Sequence, residues 1–97
     1  MGNRSFSNIG KFVKKHREKV GLSQTELSRA LGYSKGQFIS NVERGLCSVP
    51  LKHAVDLRKA LDVEAHTLTT ALLRDYHSTI SSYLPQENDQ TQDFIGG

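Results

Sequence analysis

Apolar residues recur at helical spacing over most of the chain, and nowhere do they alternate with period two. Ile9, Phe12, Val13, His16 and Val20 mark one face of a first helix, expected over 8–19 and ended by Gly21 as a left-handed cap. Ser23-Gln24-Thr25-Glu26 has the form of a capping box, with Ser23 at the N-cap and Glu26 reaching back to it. It predicts a second helix over 24–31, with Leu27, Ala30 and Leu31 inward and Gly32 at its stop. Ser34 is expected to cap a third helix over 35–44, which points Ile39 and Val42 inward and ends at Gly45. A loop over 46–50 closes on Pro50, which suits the first turn of a fourth helix over 50–61. That helix should bury Leu51, Ala54 or Val55, Leu57 and Leu61. After a break at Asp62-Val63, a fifth helix starts near Glu64 and runs to Tyr83. No hairpin dipeptide interrupts the pattern, so the expected class is all-α.

The ends differ from the middle. Residues 1–7 are polar and expected to fray. From Pro85 onward Gln, Asn, Asp, Thr and Gly dominate, so 85–97 is expected to be a disordered polar tail behind a domain at 1–84. A chain of 97 residues has room for one such domain.

Charge gives the pattern a direction. The net charge is +3, but residues 85–97 hold Glu87, Asp89 and Asp93 and no base. Without them, 13 bases face 7 acids, or +6. Six of those bases, Arg4, Lys11, Lys14, Lys15, Arg17 and Lys19, fall in the first twenty residues against Glu18. A basic globule with clustered cations suits a polyanion. Lys11, Lys14 and Lys15 read equally well as phosphate contacts or as a solvated helix face.

Other classes find little support. No apolar run approaches membrane-spanning length, so no membrane partner is expected. The N-terminus lacks an apolar signal segment, and Phe6 stands where myristoylation needs Ser or Thr. The single cysteine, Cys47, reads as a half-buried small side chain and fits a reducing compartment. The expected location is the cytoplasm of a bacterium or a phage-infected cell. His16, His53, His66 and His77 are scattered without metal-ligand spacing. No nucleophile–base arrangement or phosphate loop occurs, so neither catalysis nor a metal or cofactor is expected.

The stretch 21–45 is the most specific in the chain: a short helix, a tight turn and a second helix with polar side chains left over. The major groove of B-DNA, about 12 Å wide, admits one α-helix. A helix-turn-helix places its second helix there while the first crosses the backbone. Lys35, Gln37, Ser40, Asn41 and Arg44 supply the hydrogen-bonding face this requires, with Ser34 beside them and Lys52 as a further phosphate contact. Gln and Asn can pair with adenine, and Lys or Arg with guanine.

These residues carry a resemblance. Arg17, Gly21-Leu22-Ser23-Gln24, Leu27-Ser28, Gly32, Ile39-Ser40-Asn41-Val42-Glu43-Arg44-Gly45, Pro50 and Ala60-Leu61-Asp62-Val63 follow the pattern of the Cro/C1-type (XRE-like) helix-turn-helix regulators. The resemblance covers residues 8–73. It implies a five-helix, lambda-repressor-like domain that binds operator DNA as a homodimer and has no catalytic role. It implies that Gln24 holds a phosphate, helped by the positive end of its helix. It also implies a partly buried ion pair between Arg17 and Glu43. One feature departs from the pattern: six residues, Tyr33 to Phe38, stand between Gly32 and Ile39 where the family usually has five. Which of Lys35, Gly36 and Gln37 faces the bases is therefore open. Ser34-Lys35-Gly36-Gln37 also fits a second capping box, which would use Gln37 as a cap, and Phe38 could serve the core or a thymine methyl.

On the fifth helix Leu68, Leu72, Thr79, Ile80 and Tyr83 make one apolar stripe, and Leu73, Tyr76, Ile80 and Leu84 a second. One stripe can close the core. The other exceeds what a small globule must hide, so Leu73, Tyr76 and Ile80 are assigned to a homodimer contact. The expected function is transcriptional regulation, with repression by covering a promoter. Two rivals remain: an antitoxin whose tail folds on a second small protein, and a protein-interaction module that does not bind DNA.

Overall fold

A computed structural model describes residues 6–84. The polar tail expected over 85–97 lies outside the described residues. Among these there are five α-helices and no strand: α1 (Ser7–Val20), α2 (Gln24–Ala30), α3 (Gln37–Glu43), α4 (Ala54–Leu61) and α5 (Ala65–Tyr83). A single 3-10 turn, Leu51–His53, leads into α4.

Local chemistry sets most of the boundaries. At the start of α2 the Ser23 hydroxyl accepts from the Glu26 N–H (3.0 Å), and the Glu26 carboxylate accepts from the Ser23 N–H (2.8 Å). Gly21, Gly45 and Asp62 end α1, α3 and α4 with left-handed backbone. At each, paired amides turn back onto the last carbonyls.

The core is one cluster built on Ile9, Val13, Leu27, Ile39, Val42, Leu57, Leu61 and Leu68. It differs from expectation at several positions: Val20 and Tyr83, read as part of the apolar stripes of α1 and α5, are exposed. Ala30 faces solvent. Leu51 and Val55 are also exposed, because the 3-10 turn after Pro50 delays α4 and leaves Ala54, Leu57 and Leu61 as its inward face. On α5 the core stripe is Leu68, Ala71 and Leu72.

The stripe on α5 continues into Asp75, which is only 2% exposed. Its two carboxylate oxygens accept the backbone N–H groups of Asn8 (3.0 Å) and Ile9 (2.7 Å) at the start of α1. The first amides of a helix have no partner within it, and no side chain beside α1 caps them. A carboxylate from α5 does so instead and suits the positive end of the helix.

Helix α1 packs tightly on α3. A methyl group at Gly10 would lie 2.6 Å from the Val42 carbonyl oxygen and 3.0 Å from that of Glu43. Gly10→Ala is therefore expected to push the two helices apart, at a cost of about 1–3 kcal/mol. Thermal melting followed by circular dichroism should show a midpoint at least about 4 °C lower; an unchanged midpoint would mean that the helices are free to separate.

Candidate nucleic-acid interface

The helix-turn-helix is built from α2, the turn 31–36 and α3. Gly32 (φ 96) takes the chain out of α2, and the Tyr33 amide bonds back to the Ser28 carbonyl (3.0 Å). Helix α3 begins at Gln37, two residues later than expected, and its N-cap is Gly36. Ser34 is therefore not a cap. Its carbonyl accepts from Arg29 (3.5 Å), and its side chain stands exposed in the turn. The reason lies at Gly36: a Cβ there would meet the Thr25 hydroxyl at 2.7 Å, so the turn presses against the start of α2. The additional residue of this segment is taken up before α3. Gln37 is no cap either, since it is the first residue of the helix.

Gly36 has no side chain to cap α3, and the buried Ser28 does so from α2. Its hydroxyl accepts from the Ile39 N–H (3.2 Å) across the turn. This contact ties the two helices together across the turn. The residue was missed as a functional position, although a hydroxyl between Leu27 and Leu31 was the available signal.

The second tie is electrostatic. Arg17 donates to both Glu43 oxygens, Nε at 2.6 Å and Nη2 at 3.1 Å, and through Nη1 to the Leu22 carbonyl at 2.8 Å. Gln24 adds its amide to the Glu43 carboxylate at 2.9 Å. One carboxylate on α3 thus gathers α1 and α2. The hydrogen bond to Glu43 raises the Arg17 pKa against the opposing effect of burial. One Gln24 amide hydrogen is spent here, and the side chain has a second N–H to donate.

The third support is aromatic. Tyr33 stacks on Phe38 with centroids 4.1 Å apart, and its hydroxyl lies 3.0 Å from Nε2 of His53. Phe38 is half-buried in this stack and packs against the core. The cluster anchors the lengthened turn to the loop before α4.

Against this framework α3 presents one polar face. Gln37 and Arg44 are exposed, and Ser40 and Asn41 are half-buried. Lys35 and Ser34 extend the face through the turn, and Lys52 lies exposed beyond the following loop. Within the face, the Gln37 amide donates to the Asn41 side-chain oxygen (2.8 Å). Asn41 is left with N–H groups to offer, while Gln37 keeps its oxygen and one N–H. Burial pushes the Cys47 thiol pKa up, which disfavours the nucleophilic thiolate.

A second surface lies between α4 and α5. Leu51, Val55, Leu72, Leu73 and Tyr76 line an apolar pocket of about 350 Å³. Leu73 is 58% exposed, Tyr76 42% and Ile80 52%. Among the described residues, no helix is long and apolar enough to cross a membrane.

Comparison with known proteins matches this geometry to a family. The helix-turn-helix family model matches residues 13–68, which span α2, α3 and α4 with parts of α1 and α5. Among curated proteins, none matches the chain in sequence. Among solved structures, the restriction-modification controller protein C.AhdI from Aeromonas hydrophila is similar, with 29% identity and a TM-score of 0.56. The alignment covers 69% of this chain and 99% of that one. The chain belongs to the Cro/C1-type (XRE-like) helix-turn-helix family of DNA-binding transcriptional regulators, not to a family of enzymes.

Proposed function

We propose that the chain binds an inverted-repeat operator as a homodimer and represses transcription by covering a promoter. The observation that carries this reading is the polar face of α3, held in place by Ser28, the Arg17–Glu43 pair and the Tyr33–Phe38 stack. Gln37, Ser40, Asn41 and Arg44 read base edges from that face. Gln24, Ser34, Lys35 and Lys52 hold phosphates on either side of it. Similarity to a restriction-modification controller protein supports a regulatory role.

The roles separate by experiment. Asn41→Ala should lose about 1–3 kcal/mol on the selected site and much less on random duplex. Gln24→Ala should weaken both alike, because phosphate contacts position the protein and carry no sequence information. Fluorescence anisotropy with the two duplexes checks this. Identical behaviour of the two variants would remove the distinction between reading and positioning.

The homodimer is assigned to the apolar surface of α4 and α5. Leu73, Tyr76 and Ile80 stand out from a helix whose core stripe is already satisfied by Leu68, Ala71 and Leu72. Two recognition helices related by a two-fold should sit one DNA turn apart, about 34 Å. Selection from a random duplex pool should then return half-sites centred about 10 base pairs apart, or a multiple. Leu73→Glu or Tyr76→Glu should yield folded monomers in sedimentation with weak full-site affinity. A variant that stays dimeric and binds normally would move the interface elsewhere.

A further inference from the structure

A groove of about 370 Å³ runs between α1 and α5, separate from the surfaces assigned to DNA and to the second copy. Lys15 and His16 line it from α1, and His66 and Arg74 from α5, over a floor that includes Phe12 and Ala71. No acidic residue lines it. Lys15, His66 and Arg74 are exposed, and among the described residues none of them meets an acid in a salt bridge. The positive character is felt within the groove. The His16 pKa is lowered by burial first and then by Lys15 and Lys19. Two unpaired cations, Lys15 and Arg74, with two imidazoles beside them in one concavity, suit an anion.

The groove opens away from the recognition helix. On α1, Gly10 and Arg17 face α3. At about 100° per residue, Lys15 lies roughly 160° around the helix from Arg17. A duplex gripped by α3 would therefore lie on the other side of α1. The volume falls within the ~300–1,000 Å³ of small-molecule sites. A planar guanidinium, an ammonium and imidazoles approaching from two helices can share the several oxygens of a phosphate. The Phe12 ring, tilted at 4.4 Å against His16, offers an apolar surface beside them.

We propose that the α1–α5 groove binds a phosphorylated small molecule of mononucleotide size, its phosphate on Lys15, His66 and Arg74 and its flat apolar part over Phe12 and Ala71. The ligand would clamp α1 to the helix that carries the apolar dimer surface, and so give the regulator a small-molecule input.

The test is titration of the full chain with adenosine 5′-monophosphate, followed by amide chemical shifts. Saturable shifts confined to Lys15, His66, Thr70, Arg74 and their neighbours are expected, and adenosine without its phosphate should produce none. Arg74→Gln should weaken the monophosphate about tenfold, the scale of one charge-assisted contact, and leave affinity for random duplex unchanged. His66→Ala, at the other end of the groove, should show a similar loss. Shifts absent from the groove, equal binding of adenosine, or unchanged affinity in both variants would overturn the proposal. So would a loss of duplex affinity in Arg74→Gln without monophosphate binding, which would assign the groove to DNA backbone.

Discussion

Arg17→Ala is expected to cost about 3–5 kcal/mol of folding stability, a large share of what a domain of this size possesses. The Glu43 side chain is 5% exposed and that of Arg17 11%. Removing the guanidinium strands a nearly buried carboxylate with only the Gln24 amide as partner. Removing both charges together should cost far less. Arg17→Met combined with Glu43→Leu leaves no buried ion to desolvate, and well-packed apolar replacements of buried pairs are often near neutral. Urea denaturation of Arg17→Met, Glu43→Leu and the double variant closes the cycle. A single-variant loss below about 1 kcal/mol would show the pair to behave as an exposed one. Because the same carboxylate gathers α1 and α2 onto α3, the single variants should also lose specific DNA affinity. The double variant should regain stability before it regains full specificity, since apolar contacts do not orient α3 as a bidentate pair does.

Which features were legible in the sequence depends on how far apart their partners lie. The capping box at Ser23 and Glu26 is complete within four residues, and the structure forms it as expected. Helix α1 follows its apolar spacing closely, because Ile9 and Val13 alone fix which face is buried. Asp75 was not legible. It sits in α5 beside Leu72 and Leu73, and the amides it caps are 66 and 67 positions away. Nothing local marks a carboxylate as the cap of another helix.

Ser34 shows the opposite failure, a local signature overruled by packing. Ser34-Lys35-Gly36-Gln37 has the letters of a capping box. Yet the approach of Gly36 to Thr25 delays the helix, and Ser28 supplies the cap from α2. Leu51 and Val55 are similar. Helical spacing placed Leu51 inward and left Val55 an alternative to Ala54, but the 3-10 turn rotates them onto the surface. At the interface, composition pointed to Gln37 and Asn41 as base readers. Their hydrogen bond to each other, and that of Gln24 to Glu43, emerge only from the fold.

If this polar and cationic surface grips a duplex, binding must weaken steeply as salt rises. Lys35 and Lys52 from each subunit, with some of the α1 lysines, should neutralise about 6–8 phosphates in the dimer complex. Each displaces condensed counterions, so log K should fall with log salt at a slope of about −5 to −7. Between 50 and 200 mM salt that amounts to roughly 10³–10⁴ in affinity. Fluorescence anisotropy on a labelled duplex across that range measures it. A steep linear slope, shared by selected and random duplex with the selected site tighter throughout, is the predicted result. A slope near zero, or no binding even at low salt, would contradict the account.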